Sequence, residues 1–160
     1  MHYEQTLKYN HTFGFPKIGL ALSGGASRGI AHLGVLKAFE KAGIPIHFVS
    51  GNSIGALVGS FYAFGVPLDC LLKHAKSMSW ASVSALQFSK KGLLSNRAIG
   101  KIVQKYLGNA TIEDSPLPLA ILTTDIQTGE SVILRDGSLT KAVMALSLIH
   151  ISEPTRLHCI

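Results

Sequence analysis

Residues 17–65, KIGLALSGGASRGIAHLGVLKAFEKAGIPIHFVSGNSIGALVGSFYAFG, contain two junctions in which a short apolar run leads through a glycine-rich turn into a helix-like pattern. The first junction joins residues 18–22 to the loop 23–29, and the second joins residues 47–49 to the turn 51–55. Short apolar runs bounded by glycine are typical of buried strands. A strand, a crossover helix and a second strand form a βαβ unit, which predicts an α/β fold with a parallel sheet.

The second junction, Gly51-Asn52-Ser53-Ile54-Gly55, has the G-x-S-x-G spacing of a nucleophile elbow between a strand and a helix. The backbone is crowded at such a sharp turn, and Gly51 and Gly55 lack the Cβ atoms that would clash there. Ser53 is therefore predicted to project from the end of the sheet. The N–H groups of the helix start beside it would stabilise a developing negative charge.

The glycine-rich loop of the first junction has two interpretations, since its backbone N–H groups at Gly24, Gly25 and Ala26 are suited to holding an anion. One is a nucleotide- or phosphate-binding module that uses residues 24–29, and the other is an oxyanion hole for Ser53. The dinucleotide fingerprint requires an acidic residue about twenty positions further on. That region contains none, so the sequence favours acyl transfer.

The two motifs together resemble those of the patatin-like phospholipases, especially their small bacterial members. The resemblance lies in residues 23–29, in residues 31–36 and in residues 51–56, in this order and separation. It implies a three-layer α/β/α sandwich with a mainly parallel sheet. The implied activity is serine-dependent hydrolysis of lipid esters, as a phospholipase or lysophospholipase. A degenerate, non-catalytic domain of the same fold is a further alternative.

The resemblance also implies roles for individual residues. Ser53 would be the nucleophile of a Ser-Asp dyad, and the backbone of Gly24, Gly25 and Ala26 would form the oxyanion hole. The supporting motif residues would be Arg28, Gly29, Gly51 and Gly55. Arg28 has two open interpretations, a structural ion pair or a guanidinium that steadies the loop and the phosphate of a lipid. The resemblance implies no metal and no organic cofactor.

The dyad aspartate is the missing part of this pattern. Three aspartates are candidates for this role. Asp114 lies in a predicted loop and Asp125 at a predicted strand end, whereas Asp136 precedes a glycine as the family motif requires. The Asp136 motif leads into a helix that the family places upstream of its catalytic aspartate, so Asp136 is predicted to be a turn residue that caps this helix. We expect the catalytic aspartate to lie outside this chain.

The three histidines near these motifs receive structural interpretations. His32 lies within the first helix and is expected to be a helix histidine with its hydrogen bonds satisfied, because the patatin-like family uses no histidine in its dyad. His47 and His74 belong to no motif and are expected at the surface or at a rim.

The chain divides into an N-terminal lead-in at 1–16, an incomplete patatin-like domain at 17–145 and a non-native tail at 146–160. Residues 146–156 resemble the translation of a sequencing adapter, and the family pattern breaks at the same point. The alternative is a native buried helix end or strand at 146–151. With the tail as non-native, the chain is expected to be a poorly soluble, inactive fragment of an enzyme.

The composition fits a chain with a core: 160 residues, 47% hydrophobic and 15% charged. There is no apolar run of membrane-spanning length and no signal-peptide pattern, which predicts a cytoplasmic location. The basic residues behind the net charge of +6 are scattered, so the favoured interpretation is a solvated basic surface. Contact with a membrane surface is the second interpretation, and no nucleic acid is expected as a partner. Cys70 is expected to pack as a small apolar residue, and neither it nor Cys159 indicates a disulfide or a zinc site.

Overall fold

The computed structural model describes residues 16–25, 28–77, 96–125 and 127–145. This part of the chain excludes residues 1–15 of the expected lead-in, residues 78–95 and the expected tail at 146–160. In chain order the elements are β1 (Gly19–Leu22), α1 (Gly29–Ala42), β2 (Phe48–Gly51), α2 (Ile54–Ala63), α3 (Leu68–Ser77), α4 (Asn96–Leu107), a 3-10 helix (Ile112–Asp114), β3 (Leu119–Thr124), β4 (Ser131–Leu134) and α5 (Leu139–Ala145).

The strands form one sheet in the order β1-β2-β3-β4. Strands β1, β2 and β3 are parallel, and β4 pairs with β3 in the antiparallel direction. In the register of the sheet, Leu22 lies opposite Gly51, and Gly51 lies opposite Ile121. This mostly parallel sheet with its helices confirms the predicted α/β fold class.

Helix α2 forms the centre of the core because it is apolar on nearly every side. Its buried residues include Ala56, Val58 and Phe61, and it packs on β1, β2 and β3. The contact is close: a Cβ atom on Gly59 would lie 2.8 Å from Val49 Cγ1. The first turn of α2 is thereby held against the carboxyl ends of the strands, where the second glycine motif lies.

Helix α1 packs against α2 and α3 through Leu33 and Leu36, which are both buried. It ends at Gly43, whose φ of 66° and N–H bond to the Glu40 carbonyl form a left-handed C-cap. Glycine adopts this conformation without a Cβ penalty. The helix-like pattern that follows the first glycine motif is therefore an α-helix in the structure, and Gly43 ends it.

The expectation that Cys70 packs as an apolar residue is wrong, because Cys70 is exposed. Helix α3 buries Leu68 and Leu71 instead. These two leucines are three positions apart and so define the inward stripe of the helix. Cys70 follows Leu68 by two positions and therefore falls outside this stripe.

The expectation that Asp136 caps α5 is also wrong. The residue directly before α5 is Ser138, whose hydroxyl accepts the Lys141 N–H at 3.4 Å. Asp136 lies in the bend before it and is exposed. Serine at this position suits an N-cap, since its short side chain reaches back to the free N–H groups of the first turn.

Among the helices of the described ranges, none combines the length and the apolar character that crossing a bilayer requires.

Candidate active site

The two glycine motifs meet at one edge of the sheet. Strands β1 and β2 are parallel neighbours, so the loops after Leu22 and Gly51 leave the sheet on the same side. A Cβ atom built on Gly24 would lie 3.3 Å from Ser53 Cβ and 3.8 Å from Ser53 Oγ. The structure therefore places the backbone of the glycine-rich loop directly against the serine of the elbow.

Ser53 occupies a backbone conformation that residues with a side chain rarely adopt. Its φ is 50° and its ψ is −130°, and within the described part of the chain it is the only non-glycine residue with positive φ. The Gly55 N–H donates to the Asn52 carbonyl at 3.0 Å, which closes a four-residue turn. The angles of Ser53 are close to those of the first central residue of a type II′ turn, a position dominated by glycine. Such strain is concentrated at functional sites.

The two outer glycines of the elbow are required by close backbone contacts. A Cβ atom on Gly55 would lie 2.1 Å from the Leu22 carbonyl oxygen, and one on Gly51 would lie 2.6 Å from the Ala56 nitrogen. Real Cβ atoms do not approach backbone atoms at these distances. The crowding expected for these two positions is present, and it packs the start of α2 onto the end of β1.

The remaining residues of the first motif border the same site. A Cβ atom on Gly29 would lie 2.3 Å from Ile54 Cγ1, so α1 begins in contact with the start of α2. The Arg28 N–H donates to the Gly25 carbonyl at 2.9 Å, which closes the loop, and the Arg28 side chain is exposed. Ala26, the third predicted oxyanion residue, lies outside the described residues.

Two polar residues of the site were not assigned to it from the sequence. The Asn52 N–H donates to the Leu22 carbonyl at 3.2 Å, and Asn52 Nδ2 would lie 3.9 Å from a Cβ atom on Gly24. His32 Nε2 lies 2.8 Å from the Ser23 carbonyl oxygen, so His32 is satisfied, as expected for a helix histidine. The sequence carries no signal for either contact, because both depend on how the loop folds back over the helix starts.

Two of the three candidate carboxylates are engaged in local structure. Asp114 Oδ2 accepts the Thr111 N–H at 2.8 Å and the Thr111 hydroxyl at 2.7 Å, and these bonds hold the pKa of Asp114 below its usual value. Asp125 Oδ1 accepts the N–H of Gln127 at 2.8 Å in the turn between β3 and β4. Both carboxylates are therefore bonded to the backbone of their own turns.

The other two histidines are half-buried and hydrogen-bonded. The Ile18 N–H donates to His47 Nδ1 at 3.0 Å, at the end of β1 that lies away from Ser53. His74 Nδ1 lies 3.1 Å from the Tyr106 hydroxyl, and the two rings make an edge contact at 5.7 Å. His47 and His74 therefore contact neighbouring elements while they stay partly exposed, which agrees with the expected position at the surface or at a rim.

Within the described ranges, no three His, Cys, Asp or Glu residues lie close enough together to hold a metal ion. Among the described residues, this site brings together the Ser53 hydroxyl, the backbone of Gly24 and the start of α2.

Comparison with known proteins agrees with this geometry. Residues 20–149 match the sequence model of the family described as patatin-like phospholipase. Among similar proteins, the neuropathy target esterase sws of Drosophila grimshawi is 37% identical over 132 residues, and that of Drosophila persimilis is 36% identical over 132 residues. These matches cover 79% of this chain but 9% of each esterase, so the chain spans about a tenth of the length of these relatives.

Two solved structures share the fold. The type III effector protein ExoU aligns with a TM-score of 0.56 and 17% identity, over 83% of this chain and 39% of the effector. The heterodimeric ExoU-SpcU complex of Pseudomonas aeruginosa aligns with a TM-score of 0.65 and 18% identity, over 89% of this chain and 38% of the matched chain. At this level of identity the likeness concerns the fold.

Proposed function

The chain belongs to the patatin-like phospholipase family, and on this premise we propose that Ser53 is the nucleophile of a serine-dependent hydrolase of lipid esters. Membership of the family implies a lipid ester hydrolase. The assignment of Ser53 is supported by its strained elbow and by the contact of Gly24 with its side chain. The relatives named above are insect proteins, and the expected closeness to small bacterial members is not supported.

In the proposed reaction, Ser53 Oγ attacks the ester carbonyl and forms a tetrahedral intermediate. The N–H groups of Gly24, Gly25 and Ala26 would stabilise the negative oxygen, together with the N–H of Ile54 at the free start of α2. Collapse of the intermediate expels the alcohol and leaves an acyl-serine, which water then hydrolyses. The position of Gly24 against Ser53 favours this function of the loop over nucleotide binding, because an anion between them would be the reacting oxygen.

The proton acceptor of the dyad is proposed to be an aspartate outside this chain. This proposal is supported by the local bonds of Asp114 and Asp125 and by the place of Asp136 in an exposed bend. It predicts that residues 1–160 alone hydrolyse esters far more slowly than a longer gene product that contains them. Equal turnover of both forms would contradict it.

The expected substrate is a phospholipid or another lipid ester. Contact with a membrane surface, the absence of a nucleic-acid partner and a cytoplasmic location remain predictions from the sequence. The match to the family model supports only the part of the proposal that names a lipid ester as the substrate.

The test of the proposed function is Ser53→Ala in the full-length gene product that contains this chain. Hydrolysis of a short-chain nitrophenyl ester should fall by at least about a thousandfold, since the nucleophile is removed. Ser60→Ala is the matched control, because Ser60 lies on the same helix and its hydroxyl bonds only the Ala56 carbonyl, at 2.7 Å. Retained turnover in Ser53→Ala, or equal losses in both variants, would contradict the assignment and favour a non-catalytic domain.

A further inference from the structure

We propose that His32 is a positioning residue that aims the Gly24 N–H at the reacting oxygen by holding the carbonyl group of Ser23. The inference rests on the proposed function of Ser53 and adds a residue to it. Its basis is the contact of 2.8 Å between His32 Nε2 and the Ser23 carbonyl oxygen. A carbonyl oxygen only accepts hydrogen bonds, so Nε2 carries the proton and donates it.

The effect passes through one peptide plane. The Ser23 carbonyl and the Gly24 N–H belong to the same planar, trans peptide unit, so they point in opposite directions. Fixing the carbonyl therefore fixes the direction of the N–H. Gly24 lies against the Ser53 side chain, within van der Waals reach of a Cβ atom built on it.

The Ser23–Gly24 peptide requires a hydrogen bond that fixes its orientation, because it contains a glycine and lies beside Ser53. Gly24 has no side chain, and glycine turns between backbone conformations at low cost. The peptide unit before it is already held, since the Leu22 carbonyl accepts the Asn52 N–H at 3.2 Å. The Gly25 carbonyl, two peptide units further along the chain, accepts the Arg28 N–H at 2.9 Å. Between these two held peptide units, His32 supplies the corresponding bond for the Ser23–Gly24 peptide, and it does so from the first turn of α1.

The place of His32 on α1 explains why this residue is able to hold the loop. Helix α1 begins at Gly29 in close contact with Ile54 of α2, so the helix start is fixed relative to the elbow. His32 lies three positions further on, within the first turn, and is half-buried. Its ring therefore transmits the position of a rigid helix to the glycine-rich loop.

The experiment compares three substitutions at His32 in the full-length gene product. His32→Leu removes the donor. His32→Gln keeps an N–H at nearly the reach of Nε2, and His32→Asn keeps an N–H on a shorter side chain. For each variant, kcat and KM are measured on the nitrophenyl ester, and thermal unfolding reports the fold.

His32→Leu should lower kcat by about 10- to 100-fold with KM changed less than about threefold, because an oxyanion donor acts mainly in the transition state. His32→Gln should restore kcat to within about threefold of the wild type, whereas His32→Asn should resemble His32→Leu. If His32→Leu does not fold, the comparison of Gln with Asn decides the question.

His47→Leu is the matched control, since His47 bonds the backbone of β1 at Ile18, at the end away from Ser53. It is expected to leave kcat unchanged even where it lowers the unfolding temperature. The positioning role of His32 would be overturned by a wild-type kcat in His32→Leu, by equal kcat in His32→Gln and His32→Asn, or by a change in KM alone. Each of these results leaves the proposed function standing as long as Ser53→Ala is inactive. A wild type without Ser53-dependent turnover would overturn the proposed function and the positioning role together.

Discussion

Replacing Ser53 by glycine should stabilise the protein while it abolishes activity. The φ of 50° and ψ of −130° at Ser53 lie in a region that costs a residue with a Cβ atom about 1–3 kcal/mol. Glycine removes this cost but loses more conformational freedom on folding, about 0.5–1 kcal/mol. Ser53→Ala lacks the hydroxyl too but keeps the strain. The glycine variant is therefore expected to be more stable than the alanine variant by about 1 kcal/mol.

The assay is thermal unfolding of the two Ser53 variants, followed by circular dichroism. A difference of about 1 kcal/mol corresponds to a shift of roughly 2–4 °C for a domain of this size. The control is the same pair of substitutions at Ser60, which is buried in the middle of α2. There glycine should be less stable than alanine by about 1 kcal/mol, because glycine is unfavourable inside a helix. A Ser53→Gly variant that unfolds at or below the temperature of Ser53→Ala would refute the strained elbow.

Two further predictions concern stability outside the nucleophile. Gly55→Ala should destabilise the fold by at least about 1–3 kcal/mol, because its methyl group would lie 2.1 Å from the Leu22 carbonyl oxygen. Gly34→Ala should stabilise α1 by about 0.5–1 kcal/mol, because a Cβ atom there has no atom within 4 Å. Urea unfolding of both variants measures the difference, and equal effects would contradict the crowding at Gly55. The hydrogen bond and charge of Lys37 lower the pKa of Asp69 below its ordinary value of 3.8. The stabilisation from this ion pair is therefore fully present above pH 3.8 and is lost as the pH falls through the lower pKa of the folded state. Asp69→Asn should show a smaller loss of unfolding temperature than the wild type over that acid range, and parallel curves would exclude a contribution from the pair.

Much of the site could be predicted from residues because its constraints are local. Gly51 and Gly55 flank Ser53 at fixed spacing, and the backbone contacts that require glycine arise within the elbow and the adjoining end of β1. The helix-like pattern after the first glycine motif indicates α1, because its apolar stripe and its terminal glycine are both local signals. The parallel order of the strands follows from the same alternation of strand and helix.

The rest depends on contacts between elements that periodicity does not encode. The bond from His32 to the Ser23 carbonyl depends on the path by which the loop folds back over α1. The exposure of Cys70 was missed, although the spacing of Leu68 and Leu71 would have indicated it. The cap of α5 was assigned to Asp136 instead of Ser138 because both residue types favour helix starts, and only the backbone decides between neighbouring positions.

Covalent labelling is the most direct test of whether Ser53 is an activated nucleophile. The full-length gene product that contains this chain is treated with a fluorophosphonate probe, digested and mapped by mass spectrometry. One adduct is expected, on the peptide that carries Ser53, and it should disappear in Ser53→Ala but not in Ser60→Ala. Labelling of a different serine, or labelling that persists unchanged in Ser53→Ala, would contradict the claim.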